Sequence, residues 1–149
     1  MRMFNVQFGR PAHGWMTIQV ATSEQSLSMD VSDVPCNSLD RLVSALLRLS
    51  QGSPHETVEW SLEPAYSRWE FSRAGENLEL KIEAVIGSPS EFAFSDHAHV
   101  ILRRTIKGLC DLSADEVWNS CDPNMPHWSW GFPKEALSKL KAQYATRMQ

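Results

Sequence analysis

The residues most able to do chemistry stand together at Asp96-His97-Ala98-His99. A carboxylate and two imidazoles so close could hold a metal ion if the segment were a strand, where alternate residues share one face. On a helix the same spacing turns the two imidazoles roughly 200° apart, so they could not share one ion. The hydrophobic period turns helical from about Asp96, which predicts a helix start there, with Asp96 as a first-turn anion. No second His, Asp or Glu at ligand spacing stands nearby, so neither a metal nor a cofactor is expected. The thiols Cys36, Cys110 and Cys121 are odd in number and form no C-x-x-C pair; they read as reduced, buried cysteines. No nucleophile elbow, dinucleotide fingerprint or phosphate loop occurs. No catalytic residue is assigned.

Two surfaces have residue types suited to binding. Glu59, Glu63, Glu70, Glu79 and Glu83 all lie in segments that alternate apolar with polar residues. Alternation places Glu59 and Glu63 on one side of their strand. It places Glu70 opposite Trp69 and Phe71, and Glu79 and Glu83 opposite Leu80 and Ile82. All five would then project from the wet face of a sheet, diluted by Arg68 and Lys81 as cross-strand pairs. Such a face is either ordinary solvated surface or a platform that steers a basic partner. The second surface is His127-Trp128-Ser129-Trp130-Gly131-Phe132. Its tryptophans either plug the core edge or anchor a partner. Trp128 and Trp130 join the five glutamates as candidate partner-binding residues.

The elements that would carry these residues follow from period. Phe4, Val6, Phe8, then Met16, Ile18, Val20, then Leu27, Met29, Val31 give three alternating strands, with a loop across Gly9 to Gly14. Pro35 stops the third. Asn37 or Ser38 caps a helix whose stripe is Leu39, Leu42, Val43, Leu46 and Leu49, ended by Gly52. Three further strands follow around Val58–Leu62, Trp69–Phe71 and Leu78–Ala84. Phe92 and Phe94 fit either another strand or a buried lead-in to the next helix. That helix shows Ala98, Ile101, Leu102, Thr105, Ile106 and Leu109 along one side, with Gly108 weakening its last turn. Ser113 with Glu116 forms a capping-box pattern for a short helix. Pro133 opens a closing helix with Leu137, Leu140 and Tyr144 inside. The expected fold is α+β: one domain over residues 1–149, an antiparallel sheet of about six strands with helices on one face, in the order βββ-α-βββ-α-α-α.

Composition narrows the classes. The chain has 149 residues, 42% hydrophobic and 21% charged, enough to bury a core without disulfides or metals. The net charge of -4 argues against nucleic acid, which calls for a basic stripe; Arg103, Arg104 and Lys107 read as the wet side of a helix. Met1 to Phe8 lacks the apolar core of a signal peptide, and no run approaches the roughly 20 residues of a membrane span. The expectation is a cytoplasmic protein without membrane or nucleic-acid partners.

One resemblance adds to this. Ser32-Asp33-Val34-Pro35-Cys36-Asn37-Ser38-Leu39 leads into the leucine-rich helix, and Val58-Glu59-Trp60-Ser61-Leu62-Glu63-Pro64 leads to Arg68-Trp69-Glu70-Phe71 and the strand Leu78 to Ala84. Over roughly Asp30 to Ala84 this arrangement resembles small bacterial α+β proteins similar in style to immunity proteins of polymorphic and contact-dependent toxin systems. The resemblance brings no catalytic residue. It implies a non-catalytic protein that binds and occludes a cognate toxin, here a basic toxin domain. Two other readings stand beside it. One is a small-ligand or metal-binding enzyme with a pocket between sheet and helices, drawing on Asp96, His97, His99 or Cys110. The other is a homodimeric adaptor.

Overall fold

The computed structural model describes residues 3–86, 88–119 and 127–147. It holds a seven-stranded antiparallel sheet and three α-helices, with strands in sequence order across the sheet. The strands are β1 (Phe4–Phe8), β2 (Trp15–Thr22), β3 (Ser26–Ser32), β4 (His55–Ser61), β5 (Tyr66–Ala74), β6 (Asn77–Ile86) and β7 (Ser88–His97). The helices are α1 (Ser38–Ser50), α2 (Ala98–Ser113) and α3 (Lys134–Arg147), with a single 3-10 turn at Glu116–Trp118. The order is therefore βββ-α-ββββ-α-α, one strand more than the sequence reading. Phe92 and Phe94 belong to β7, paired with Ile82 and Leu80.

Alternation sets the two faces. Val58, Trp60, Trp69, Phe71, Leu80, Ile82, Phe92 and Phe94 point inward and are buried, while their neighbours point out. The sheet is coiled rather than flat. Its halves β1–β3 and β4–β7 are joined through one residue pair, Ser32 with Ser61. Coiling brings the outer strands together: Phe4 of β1 stacks on Phe94 of β7 with ring centroids 5.0 Å apart. From the β2–β3 turn, Gln25 Nε2 donates to the Ala93 carbonyl at 2.6 Å.

The helices fill the inside of the curl. α1 is capped by the Asn37 side chain, which accepts the Asp40 N–H. It ends at Gly52 with φ 103°, where the Ser53 N–H bonds to Arg48 O and the Gly52 N–H to Leu49 O. This pair of bonds satisfies the last carbonyls of the helix and needs the left-handed residue that glycine supplies. α2 packs chiefly on β1 and reaches β6 and β7. Gly108 is what lets it come so close: a Cβ there would collide with the backbone oxygen of Val6. The glycine that weakens the helix by propensity is thus required by packing. Ser113 does not open a new helix. It is the last residue of α2, and its Oγ donates to Cys110 O; Asp115 caps the following 3-10 turn by accepting the Val117 N–H. α3 lies on α1 and α2, with Leu137 and Leu140 buried.

Candidate protein-binding face

The outer face of β4–β7 is built in register. One row runs Glu59, Arg68, Glu83, Glu91 across the four strands, and the next runs Thr57, Glu70, Lys81, Ala93. A third row runs His55, Ser72, Glu79, Ser95. Directly opposed residues project to the same side, so Glu59, Glu70, Glu79 and Glu83 share one surface as alternation anticipates. Glu91 joins them. Sequence reasoning missed it because β7 was not resolved from a helix lead-in, although Phe92 and Phe94 beside it carry the period-2 signal.

Glu63 is not on this surface. β4 ends at Ser61, and Glu63 sits in the β4–β5 turn with φ 38°, ahead of a cis Pro64. The Leu62 N–H closes that turn on the Ala65 carbonyl at 2.7 Å. The alternation rule fails there because the strand has already stopped.

The carboxylates of the face differ in what they touch. Glu70 is engaged: it accepts from His55 Nε2 at 3.1 Å and lies 3.8 Å from Arg68 Nη2. The His55 hydrogen bond, with the nearby charges, holds its carboxyl below the ordinary 4.5 against a smaller desolvation effect. Among the described residues, Glu59, Glu79, Glu83 and Glu91 make no ion pair. Arg68 leans to Glu70 although its direct neighbours across the strands are Glu59 and Glu83. The outer face therefore keeps an unneutralised excess of negative charge.

A groove of about 570 Å³ opens where this face meets the β4–β5 turn. Ala65, Ala84 and Pro89 give it an apolar floor, and Tyr66, Arg68, Glu83 and Glu91 line its sides. Tyr66 is 60% exposed. A second groove, of about 670 Å³ between β1 and α2, contains Lys107 and Asp111, which pair with one another at 3.1 Å.

The aromatic loop divides between the two roles considered for it. Trp128 and Phe132 are buried, and Phe132 meets Trp118 edge to face at 5.2 Å. Trp128 is therefore a core plug and not a contact residue, which corrects its place among the binding candidates. Trp130 stays 38% exposed. Its indole N–H donates to Asp33 O at 2.7 Å. The buried Asp33 carboxylate holds the loop from within, accepting Ser129 N–H at 2.6 Å and Ser129 Oγ–H at 2.7 Å. The same residue ties down the β1–β2 loop: its N–H donates to Gly14 O, and the Gly14 N–H donates to His127 O.

Around this Asp33 hub lie Trp15, Val34 and Trp130, exposed by 39%, 41% and 38%. Trp15 opposes Ser32, Ser32 opposes Ser61, and Ser61 opposes Tyr66. Trp15 and Tyr66 thus end one row across four strands, about 14 Å apart at three strand spacings. Large exposed side chains border the acidic face along one end. Sequence reasoning missed Trp15 and Tyr66, although alternation with Met16 and Trp69 inside puts both on the outer side.

Compared with known proteins, the chain matches no family model, no curated protein and no solved structure.

The histidine segment is arranged differently from the helix projection. Asp96 is on β7, not in the first turn of α2, and its carboxylate accepts the His97 N–H at 2.7 Å. His97 is the N-cap, its Nδ1 accepting the His99 N–H at 3.1 Å. The two rings lie edge to face with centroids 6.2 Å apart, closer than two helical residues at that spacing would be. His99 Nδ1 is also occupied, 2.9 Å from the Tyr144 hydroxyl of α3, and those rings stack. His97 thus caps α2 and lies 3.8 Å from Glu76, while His99 serves the α2–α3 junction. No group of three metal-ligating side chains converges among the described residues. Cys36 and Cys110 are half-buried free thiols; Cys121 lies outside the described residues. Arg103, Arg104 and Lys107 are exposed on α2. No described helix is long and apolar enough to cross a membrane.

Proposed function

We propose that this chain is a non-catalytic binding domain that docks a basic protein on the outer face of β4–β7. The observation that carries the reading is the register: Glu59, Arg68, Glu83 and Glu91 stand in one row whose glutamates make no ion pair among the described residues, with Glu79 behind them and Tyr66 beside them. A rigid sheet presents these charges at fixed spacing, so a complementary surface binds without a backbone-ordering cost. The excess negative field speeds encounter with a cationic partner and repels polyanions. The aromatic end supplies what charge alone does not, large rigid side chains of the kind that dominate binding energy at interfaces. In the form that the resemblance implies, the partner is a bacterial toxin domain, and docking occludes its active surface in the cytoplasm.

The test is to purify the basic product of a gene adjacent to this one and mix it with the protein at equal molarity. A stable one-to-one complex in size-exclusion chromatography is expected, weakening as salt rises from 50 to 500 mM by roughly tenfold or more, as screened charges require. Glu59→Lys with Glu83→Lys should abolish the complex and leave the circular-dichroism spectrum unchanged. A complex indifferent to salt and to both reversals would place binding elsewhere on the molecule. Self-association of the protein alone, lost in Trp130→Ala, would favour the homodimeric adaptor instead.

A further inference from the structure

We propose that the groove beside Tyr66 seats one arginine side chain of the partner. This rests on the binding reading above and specifies the chemistry at one point of that face. An arginine has three parts, and the groove matches each. Its methylene stem favours an apolar floor, which Ala65, Ala84 and Pro89 provide. Its guanidinium is planar and favours the face of an aromatic ring, and Tyr66 stands 60% exposed at the rim. Its forked donors suit carboxylates, and Glu83 and Glu91 are direct cross-strand neighbours without ion pairs among the described residues.

The protein's own guanidinium in the groove is already turned away. Arg68 Nη2 lies 3.8 Å from Glu70, one row back, although Glu83 is its cross-strand neighbour. Two carboxylates against one committed cation leave the groove with negative charge to offer. Lysine fits less well, because a compact ammonium neither stacks on a ring nor bonds two carboxylates in a plane. The volume of about 570 Å³ exceeds one side chain, so the neighbouring residues of the partner segment fit with it.

Nitrogen-15 correlation spectra of the full chain, titrated with N-acetyl-arginine amide, test the seat directly. The neutral isostere N-acetyl-citrulline amide and N-acetyl-lysine amide serve as comparisons. Arginine should shift the amides of Tyr66, Arg68, Glu83, Ser90 and Glu91. Citrulline should bind at least about fivefold more weakly, the loss expected for one charge-assisted bond. Tyr66→Ala should weaken arginine by about threefold, as an exposed cation–π contact does, and Glu83→Gln with Glu91→Gln should remove the shifts. Equal shifts with citrulline, or shifts spread evenly over all the carboxylates of the sheet, would overturn the proposal. A deca-arginine peptide separates this failure from failure of the wider reading. If it binds the wild type and the Glu83→Gln, Glu91→Gln variant equally but not Glu59→Lys, the acidic face stands and the seat falls. If it binds none of them, the binding reading falls too.

Discussion

The Asp33 hub and the outer face of β4–β7 both gather polar and aromatic groups, but they use them in opposite ways. At the hub the polar atoms of Asp33 are spent inside the protein, although the buried His127 Nδ1 and Trp128 Nε1 beside it have no hydrogen-bond partner among the described residues. Asp33 alone bonds Ser129 twice, takes the Trp130 indole and donates to Gly14. On the outer face the register sets carboxylates side by side, and most of them make no ion pair among the described residues. A segment whose hydrogen bonds are spent internally holds structure; one whose charges are left open can address another molecule. The difference is also one of cost. Open carboxylates are tolerable on the face because water solvates them, whereas a buried carboxylate like Asp33 must be hydrogen-bonded. The hub in turn fixes the exposed Trp130.

The two tryptophans of the loop give the largest expected contrast. Trp128→Ala empties a buried site and should destabilise the fold by about 4 kcal/mol. Trp130→Ala removes a half-exposed ring and one hydrogen bond, at about 1 kcal/mol. Urea unfolding of both variants measures the gap. Equal losses would mean that the loop is not divided between plug and surface. Asp33→Ala comes next: it strands the Ser129 N–H and hydroxyl and should cost about 3 kcal/mol. The Trp130 indole resonance should also broaden or move in that variant, because its loop loses its anchor. An unchanged indole signal would show that the hub does not position Trp130.

The two regions were unequally legible in the sequence. The glutamates were readable because strand alternation is local: Trp69 and Phe71 inside put Glu70 outside, and Leu80 and Ile82 do the same for Glu79 and Glu83. The one failure on that list, Glu63, came from extending the rule two residues past the end of β4 into a turn with positive φ. The hub was not readable. Asp33 and Ser129 lie 96 positions apart, and no local period links them. Nor does anything local separate Trp128 from Trp130, since burial there is decided by how the loop meets Asp33 and Trp118. The seventh strand was ambiguous for a related reason. A short apolar run beside a helix start fits both elements, and only pairing with β6 decides.

Gly108 extends the contrast to the seam between α2 and β1. Propensity alone predicts that Gly108→Ala stabilises an exposed helix by roughly 1 kcal/mol. Packing predicts the reverse, because the new methyl would strike the Val6 carbonyl and the helix would have to move, at about 2 kcal/mol. Thermal unfolding should show a lower midpoint. A raised midpoint would mean that α2 stands farther from β1 than the close contact implies.

The smallest effect sharpens the comparison within the open face itself. Glu70 is its engaged member, held below 4.5 by the His55 hydrogen bond and the nearby cations. A carboxylate with a depressed folded-state pKa adds stability above its unfolded value, and that contribution fades as pH falls from about 4.5 through the lower folded midpoint. The contribution of Glu70 is therefore full at neutral pH and is lost only in the acid window. His55→Ala should raise the Glu70 midpoint toward its ordinary value, read from its side-chain carboxyl carbon in a pH titration by NMR. The shift should be incomplete, because Arg68 and Lys81 remain nearby and still favour the charged form. An unmoved midpoint would show that His55 does not hold Glu70. Glu70 would then count with its unpaired neighbours, and the outer face would offer one more open carboxylate to a cationic partner.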